Sequence, residues 1–287
     1  SNMKLAMLQR DFVKANIDNN YQADMNKIEQ TTNQLYYGLL QAKENVAACE
    51  EALTSEKNTL ELIKKKYALG AASSVEVQVQ ENKVATAEDT LNQAKNTVQS
   101  TEANFIMLMD LDPDAELNLT TELEKMSADI PSLADATASM LKNNLELKYY
   151  DYLTEVTEIQ INSLRYTTSK NSSAYKKAEN AYNQAQMAIK QMTENKKTSL
   201  RTAYEELSAL ESQITKFKST ISLTETSLNL AKVKYDLGMG TLSEIESAQL
   251  TLTQAKQGLT NAIAAYNQAV ADIKFDIGVG TTRISFG

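Results

Sequence analysis

The chain contains no histidine and no tryptophan, a single cysteine, two prolines and eight glycines in 287 residues. Each scarcity excludes something. Without histidine there is no imidazole base, no Ser-His triad and no His-based zinc site. Cys49 alone forms no internal disulfide, and nothing is present to activate its thiol, so it reads as a small buried hydrophobe. No glycine-rich phosphate loop follows a strand. The acidic pairs Glu50-Glu51 and Glu205-Glu206 read as solvated helix faces. No catalytic residue, metal ligand or cofactor is therefore expected, and the chain is read as a non-enzyme. No apolar run approaches the roughly 18 residues of a membrane helix. The formal charge is −8 with both signs interspersed, so no basic stripe offers itself to nucleic acid or to an anionic bilayer.

What remains is helix. So few breakers in so long a chain predict a small number of long helices. The first pattern runs from about residue 3 to 69. Its apolar positions (Leu35, Leu39, Ala42, Val46, Cys49, Leu53, Leu60, Ile63 and Tyr67, with Glu56 in the gap) step by three and four, the spacing of a coiled-coil seam. A returning seam passes through Val77, Gln80, Val84, Ala87, Leu91, Ala94, Val98, Thr101, Phe105 and Leu108. Residues 113–132 hold both prolines and read as a linker, with Glu116–Thr120 alternating like a short extended piece. Ser132 followed by Asp135 predicts a helix start. Short helices are expected at 133–143 and 145–166, then a polar loop at 167–173. A helix of about 64 residues follows, roughly 100 Å long, with a seam from Leu200 to Tyr235. The last helix carries Ile245, Ala248, Leu252, Ala255, Leu259, Ala262, Tyr266, Ala269 and Ile273, and stops at Gly278 and Gly280. The three lysines at 64–66 read as a solvated basic run.

The chain repeats itself at a fixed offset of 168 positions. Tyr36 matches Tyr204, Leu60 matches Leu228, Tyr67 matches Tyr235, Gly70 matches Gly238, Glu76 matches Glu244 and Leu91 matches Leu259. Such an offset marks an internal duplication. The matched stretches Tyr67–Val77 and Tyr235–Ile245 each predict a turn between two helices. The glycine takes a left-handed conformation, Ser73 or Ser74 and Thr241 cap, and Glu76 and Glu244 lie in the next first turn. The expected organisation is a first hairpin repeat over 1–112 with its turn at 69–76, the linker at 113–132, and a second repeat over 133–280. That second repeat has opening helices at 133–166 and a hairpin at 173–280 turning at 237–244. A tail at 281–287 follows. The fold class is all-α: long antiparallel coiled-coil hairpins, internally duplicated.

These residues carry a resemblance. A tyrosine, a long helix to Tyr-x-x-Gly-x-x-Ser/Thr, then an acidic and an aliphatic residue is similar to the periplasmic hairpin of the TolC-like outer-membrane efflux family. The matching positions are Tyr36, Tyr67, Gly70, Ser73, Glu76 and Val77, and again Tyr204, Tyr235, Gly238, Thr241, Glu244 and Ile245. The ending Ala265-Tyr266-Asn267-Gln268-Ala269 through Gly278 and the stretch Leu133–Tyr166 resemble that family's closing and opening helices. The resemblance implies hairpins that assemble, usually as trimers, into a tunnel. It also implies that the turns meet the adaptor (membrane-fusion) protein of an efflux pump or type I secretion system. The candidate partner-binding residues are Gly70, Ala71, Ala72, Ser73, Glu76, Gly238, Met239, Thr241, Leu242 and Glu244. Ala71, Ala72, Met239 and Leu242 are the members without an evident role in making the turns.

The family places membrane-spanning strands between its opening helices and the long hairpin helix. Here that place is Thr167–Ser173, too short for two strands of about 9–11 residues each. A soluble chain without a β-barrel is therefore expected. The reading is an extracytoplasmic, cell-envelope export component; the alternative is a coiled-coil spacer with no conduit. Homotrimer and monomer both stay open. Ser1-Asn2 reads as a cleavage remnant, so a signal peptide is expected to have been removed upstream.

Overall fold

A computed structural model describes residues 2–120, 122–127 and 129–285. Ser1 of the expected remnant and residues 286–287 of the expected tail lie outside them. Six helices follow in order: α1 (Asn2–Ala68), α2 (Ser74–Leu108), α3 (Leu133–Asn143), α4 (Leu145–Arg165), α5 (Ser173–Asp236) and α6 (Leu242–Asp276). The described residues contain no strand. The chain divides into two compact units. One comprises Ser1–Thr31, Ser127–Leu207 and Ala269–Gly287; the other comprises Thr32–Met126 and Ser208–Gln268. This partition differs from that of the sequence repeats, because each unit draws on both.

In the second unit the α1 seam points inward: Leu39, Ala42, Cys49 and Ile63 are buried, as is Leu91 of α2. Gln80, a polar seam residue, is fully buried. Its amide donates to the Glu56 carbonyl (3.1 Å) and carboxylate (2.5 Å). Beside this seam runs a ladder of ion pairs: Lys43–Glu102 (3.0 Å), Glu50–Lys95 (3.5 Å), Lys57–Glu88 (2.9 Å) and Lys64–Glu81 (2.9 Å). Rungs fall one heptad apart on both helices and in opposite order, so α1 and α2 are antiparallel in one register. Each exposed pair contributes about 0.2–1 kcal/mol. Their stronger effect is on register, since a slip of the seam sets like charges against one another. Glu50 and Lys64, expected to be simply solvated, are therefore paired.

Irregular segments are held by asparagines. The alternation at 116–120 is present, with Leu117 and Leu119 half-buried and their neighbours exposed, but without a ladder. The chain is instead fastened further on. Asn267 of α6, nearly fully buried, donates to the Glu124 carbonyl (2.8 Å) and accepts from the Met126 amide (2.9 Å). One amide side chain thus supplies the two bonds a neighbouring strand would.

The first unit centres on Ala136 and Met140 of α3, Leu200 of α5 and Ile273 of α6, with Leu133, Ala203, Tyr204 and Ile277 packed around them. Ser132 caps α3, accepting from the Asp135 amide (3.2 Å). Tyr204 donates its hydroxyl to the Pro131 carbonyl (2.8 Å). Asn144 ends α3 and caps α4, accepting from the Leu147 amide (3.3 Å). A second cluster, Ala23, Leu145 and Ile284, brings the tail onto α1 and α4.

Asp276, at the end of α6, lies in this unit. Burial pushes its carboxyl above the ordinary range; Lys196 opposes the shift, and Asp272 and Glu146 add to it. Lys196 is itself paired with Glu146 (2.6 Å). A carboxyl whose folded pKa is raised holds its proton more tightly in the native state. Stability therefore falls as pH rises from the unfolded pKa through the folded one. Asp276→Asn is expected to stabilise the protein at pH 7 and to give no gain below about pH 3, where the carboxyl is protonated in both states. Thermal melts of both proteins across that range check the sign; a destabilised variant at pH 7 contradicts it.

Candidate functional site: the paired turns

The two predicted turns are built the same way. Gly70 and Gly238 have φ of +75° and +74°, a region that costs a side chain roughly 1–2 kcal/mol. At the first turn Ala71 donates to the Lys66 carbonyl (2.8 Å) and Gly70 to the Tyr67 carbonyl (3.0 Å). At the second, Met239 donates to the Lys234 carbonyl (2.9 Å) and Gly238 to the Tyr235 carbonyl (3.1 Å). This nested pair is the Schellman ending of a helix.

The restarts differ in detail. Ser73 and Glu76 close a reciprocal capping box: the serine hydroxyl accepts from the Glu76 amide (3.2 Å) and the glutamate from the Ser73 amide (2.7 Å). These bonds, backbone first, hold the Glu76 carboxyl below its usual pKa, with Lys66 assisting. At the second turn Glu244 accepts from the Thr241 amide (2.9 Å), while its own amide donates to the Thr241 carbonyl (3.3 Å).

The structure brings the two turns together in the second unit. Ile63 of α1 packs with Leu228, Ala231 and Tyr235 of α5 and Ile245 and Leu252 of α6. Ala72 and Leu242 pack against the same cluster. Both thus have a local role, which corrects the expectation that they are free: each turn folds one apolar side chain back onto the helices it joins. Ala71 and Met239 remain exposed, Met239 at 72%. Lys66, expected to be solvated, donates its ammonium to the Tyr235 carbonyl and sits over the Tyr235 ring, 3.8 Å from its centroid. It neutralises one orphan carbonyl at the end of α5 while gaining a cation–π contact. No spacing rule for a single helix points to that bond, because its partner lies 169 residues on.

The tyrosines of the repeated motif do not share one environment. Tyr235 is 7% exposed, whereas Tyr67, expected on the seam, is 51% exposed. Leu108 at the end of the α2 seam is exposed as well. Cys49 is buried, and burial raises its thiol pKa, which keeps it in the unreactive protonated form. Among the described residues no helix is long and apolar enough to cross a membrane.

This helical fold is that of known outer-membrane channels. Over 97% of its length the chain matches 76% of VceC, an outer membrane protein of Vibrio cholerae, with 16% identity and a TM-score of 0.71. It matches 70% of a membrane protein from Pseudomonas aeruginosa over 96% of its length, with 14% identity and a TM-score of 0.78. It matches 67% of the CmeC outer membrane channel of Campylobacter jejuni over 97% of its length, with 16% identity and a TM-score of 0.65. No protein-family model and no curated protein matches the sequence. The TolC-like architecture expected from the repeated turns is thus present as a fold, at identities that speak for the fold alone.

Proposed function

We propose that the chain is the helical, extracytoplasmic part of a TolC-like efflux or type I secretion component and that its paired turns dock an adaptor protein. The observation that carries this reading is the turn itself, made twice with the same backbone bonds and brought together by Lys66 and Tyr235. A spacer has no use for two copies of one loop side by side. The fold, common to several outer-membrane channels, supports the same reading and an envelope location. The segment between α4 and α5 is closed by Thr167 and Thr168 bonding back to Leu164 and by Ser172 bonding to Ser169; it contributes no membrane strand.

The residues to test are the two exposed ones. Ala71→Lys and Met239→Lys are expected to leave helix content and melting unchanged. They should weaken binding to the hairpin of a cognate adaptor protein at least tenfold, about 1.4 kcal/mol. Met187→Lys, on an exposed position in the other unit, should bind like the parent. Titration by calorimetry separates the outcomes, and tip variants that bind as tightly as the parent refute the docking role.

A further inference from the structure

We infer that residues 279–284 form an acid-closed strap, latched while Asp276 holds a proton and loosened when that carboxyl ionises. The segment lies across the start of α4 and the end of α6 in the first unit. The Val279 carbonyl accepts from the Leu145 amide (3.0 Å), and the Gly280 amide donates to the Phe275 carbonyl (3.0 Å). Asn26 holds the Gly280 carbonyl (2.8 Å), and Asn20 holds both backbone groups of Ile284. Glycine permits the close approach at position 280. Its φ is +89°, and a Cβ there would stand 3.1 Å from the Asn144 side-chain nitrogen.

Between the strap and the helices is a small polar cavity of about 20 Å³, room for one water-sized sphere. Its walls include Glu146 of α4, Lys196 of α5 and Asp276 of α6, with Gly280, Thr281 and Thr282 of the strap. Charge is unbalanced there. Among the described residues that wall the cavity, Lys196 carries the only positive charge, and Glu146 holds it at 2.6 Å. Asp276 therefore shares its counter-charge, and Asp272, one turn back on α6, adds a further carboxylate. The strap supplies no cation to this cavity. Arg283, its one charged residue, is paired with Asp24 of α1 (3.1 Å).

Closing the strap thus walls in a carboxyl that faces more negative than positive charge. Burial is the main cause of its upward shift; Lys196 opposes the shift, and Asp272 and Glu146 add to it. The closed strap favours the protonated acid. Closure is therefore strongest below the ordinary aspartate range, about pH 4. Opening grows as pH rises through the closed-state pKa and levels off above it. The inference stands on the first unit alone and does not depend on adaptor docking, which concerns the turns of the second.

Amide exchange of the full chain tests it, followed residue by residue from about pH 4 to about pH 8 and corrected for intrinsic rates. The Leu145, Gly280 and Ile284 amides report on the strap through the bonds described above. Their opening constants are expected to rise together, about threefold or more across that range, while the α2 amides of the second unit do not follow. Asp276→Asn keeps the shape of the side chain and removes the titration. It should hold the strap at its acid-state protection at every pH. Lys196→Met removes the opposing ammonium and should move the transition to higher pH, a change that a merely structural role would not produce. A parent strap that opens equally at both ends of the range overturns the inference. So does an Asp276→Asn protein that keeps the parent's pH profile.

Discussion

Ile273→Ala is expected to lower the stability of the first unit by about 2–5 kcal/mol, the range for emptying a fully buried aliphatic site. Ile273 is fully buried, and its neighbours Ala136, Met140 and Leu200 are equally closed to water. The cost is at the upper end of what single changes do because three helices meet there. Neither α3 nor α5 can slide into the space without breaking the Ser132 cap or the Tyr204 bond to the Pro131 carbonyl. Losing that much from a domain whose whole stability is of order 5–15 kcal/mol should be visible in any equilibrium measurement. Urea unfolding should show a lower midpoint, and amide exchange in α3 should accelerate most. Leu141→Ala, on the exposed side of the same helix, should change stability by no more than about 0.5 kcal/mol. Equal effects of the two substitutions would mean that α3 does not pack through its Ala136–Met140 face.

The helices were legible because their signals are local. A seam that steps by three and four, a Tyr-x-x-Gly ending and a Ser-x-x-Glu start each involve residues within one or two turns, and the observed boundaries fall within a few residues of those expected. The offset of 168 did the same for topology, since one recognised turn implied the other. Cross-helix chemistry was less visible. The ladder from Lys43–Glu102 to Lys64–Glu81 occurs only in the first repeat. At the matching positions of the second, only the Glu225–Lys256 rung persists, at 3.8 Å and with its signs exchanged. Read singly, each of these charges is a solvated helix residue.

The repeats also trade volume where the seam alone looks uniform. Phe217 of α5 matches Cys49, and Gly258 of α6 matches Thr90. A Cβ on Gly258 would lie 2.4 Å from the Phe217 ring, so the glycine inside α6 is a seat for that ring. In the first repeat the matching positions hold the smaller Cys49 and the larger Thr90. The candidate site divides the same way. Its backbone was predictable from glycine and cap chemistry. The inward folding of Ala72 and Leu242, the Lys66 bond to Tyr235 and the contrast between Tyr67 and Tyr235 were not. Those depend on which repeat lies beside which, and a pattern that treats the copies alike has no way to distinguish them.

Asn20→Ala is expected to release the C-terminal segment from the first unit. Asn20 is buried and bonds to one residue twice: it donates to the Ile284 carbonyl (3.1 Å) and accepts from the Ile284 amide (2.9 Å). Asn26 adds a bond to the Gly280 carbonyl (2.8 Å), at a glycine whose φ is +89°. Ile284 itself is buried with Ala23 and Leu145. Alanine at position 20 removes both partners at once and leaves a buried amide and carbonyl unsatisfied, about 1–3 kcal/mol each. The segment escapes that penalty by leaving. The loss should therefore appear as local opening and not as global unfolding. Exchange of the Ile284 amide should accelerate at least tenfold, corresponding to about 1.4 kcal/mol, while the α2 and α6 amides of the second unit keep the parent's protection. Asn20→Asp separates the two bonds: it keeps an acceptor for the amide but sets a charge against the carbonyl, so it should open the segment too. Asp24→Ala removes the exposed pair with Arg283 (3.1 Å), worth about 0–1 kcal/mol, and should change exchange far less. If Asn20→Ala leaves the Ile284 amide as protected as in the parent, the segment is held by the burial of Ile284 alone and the asparagine is incidental.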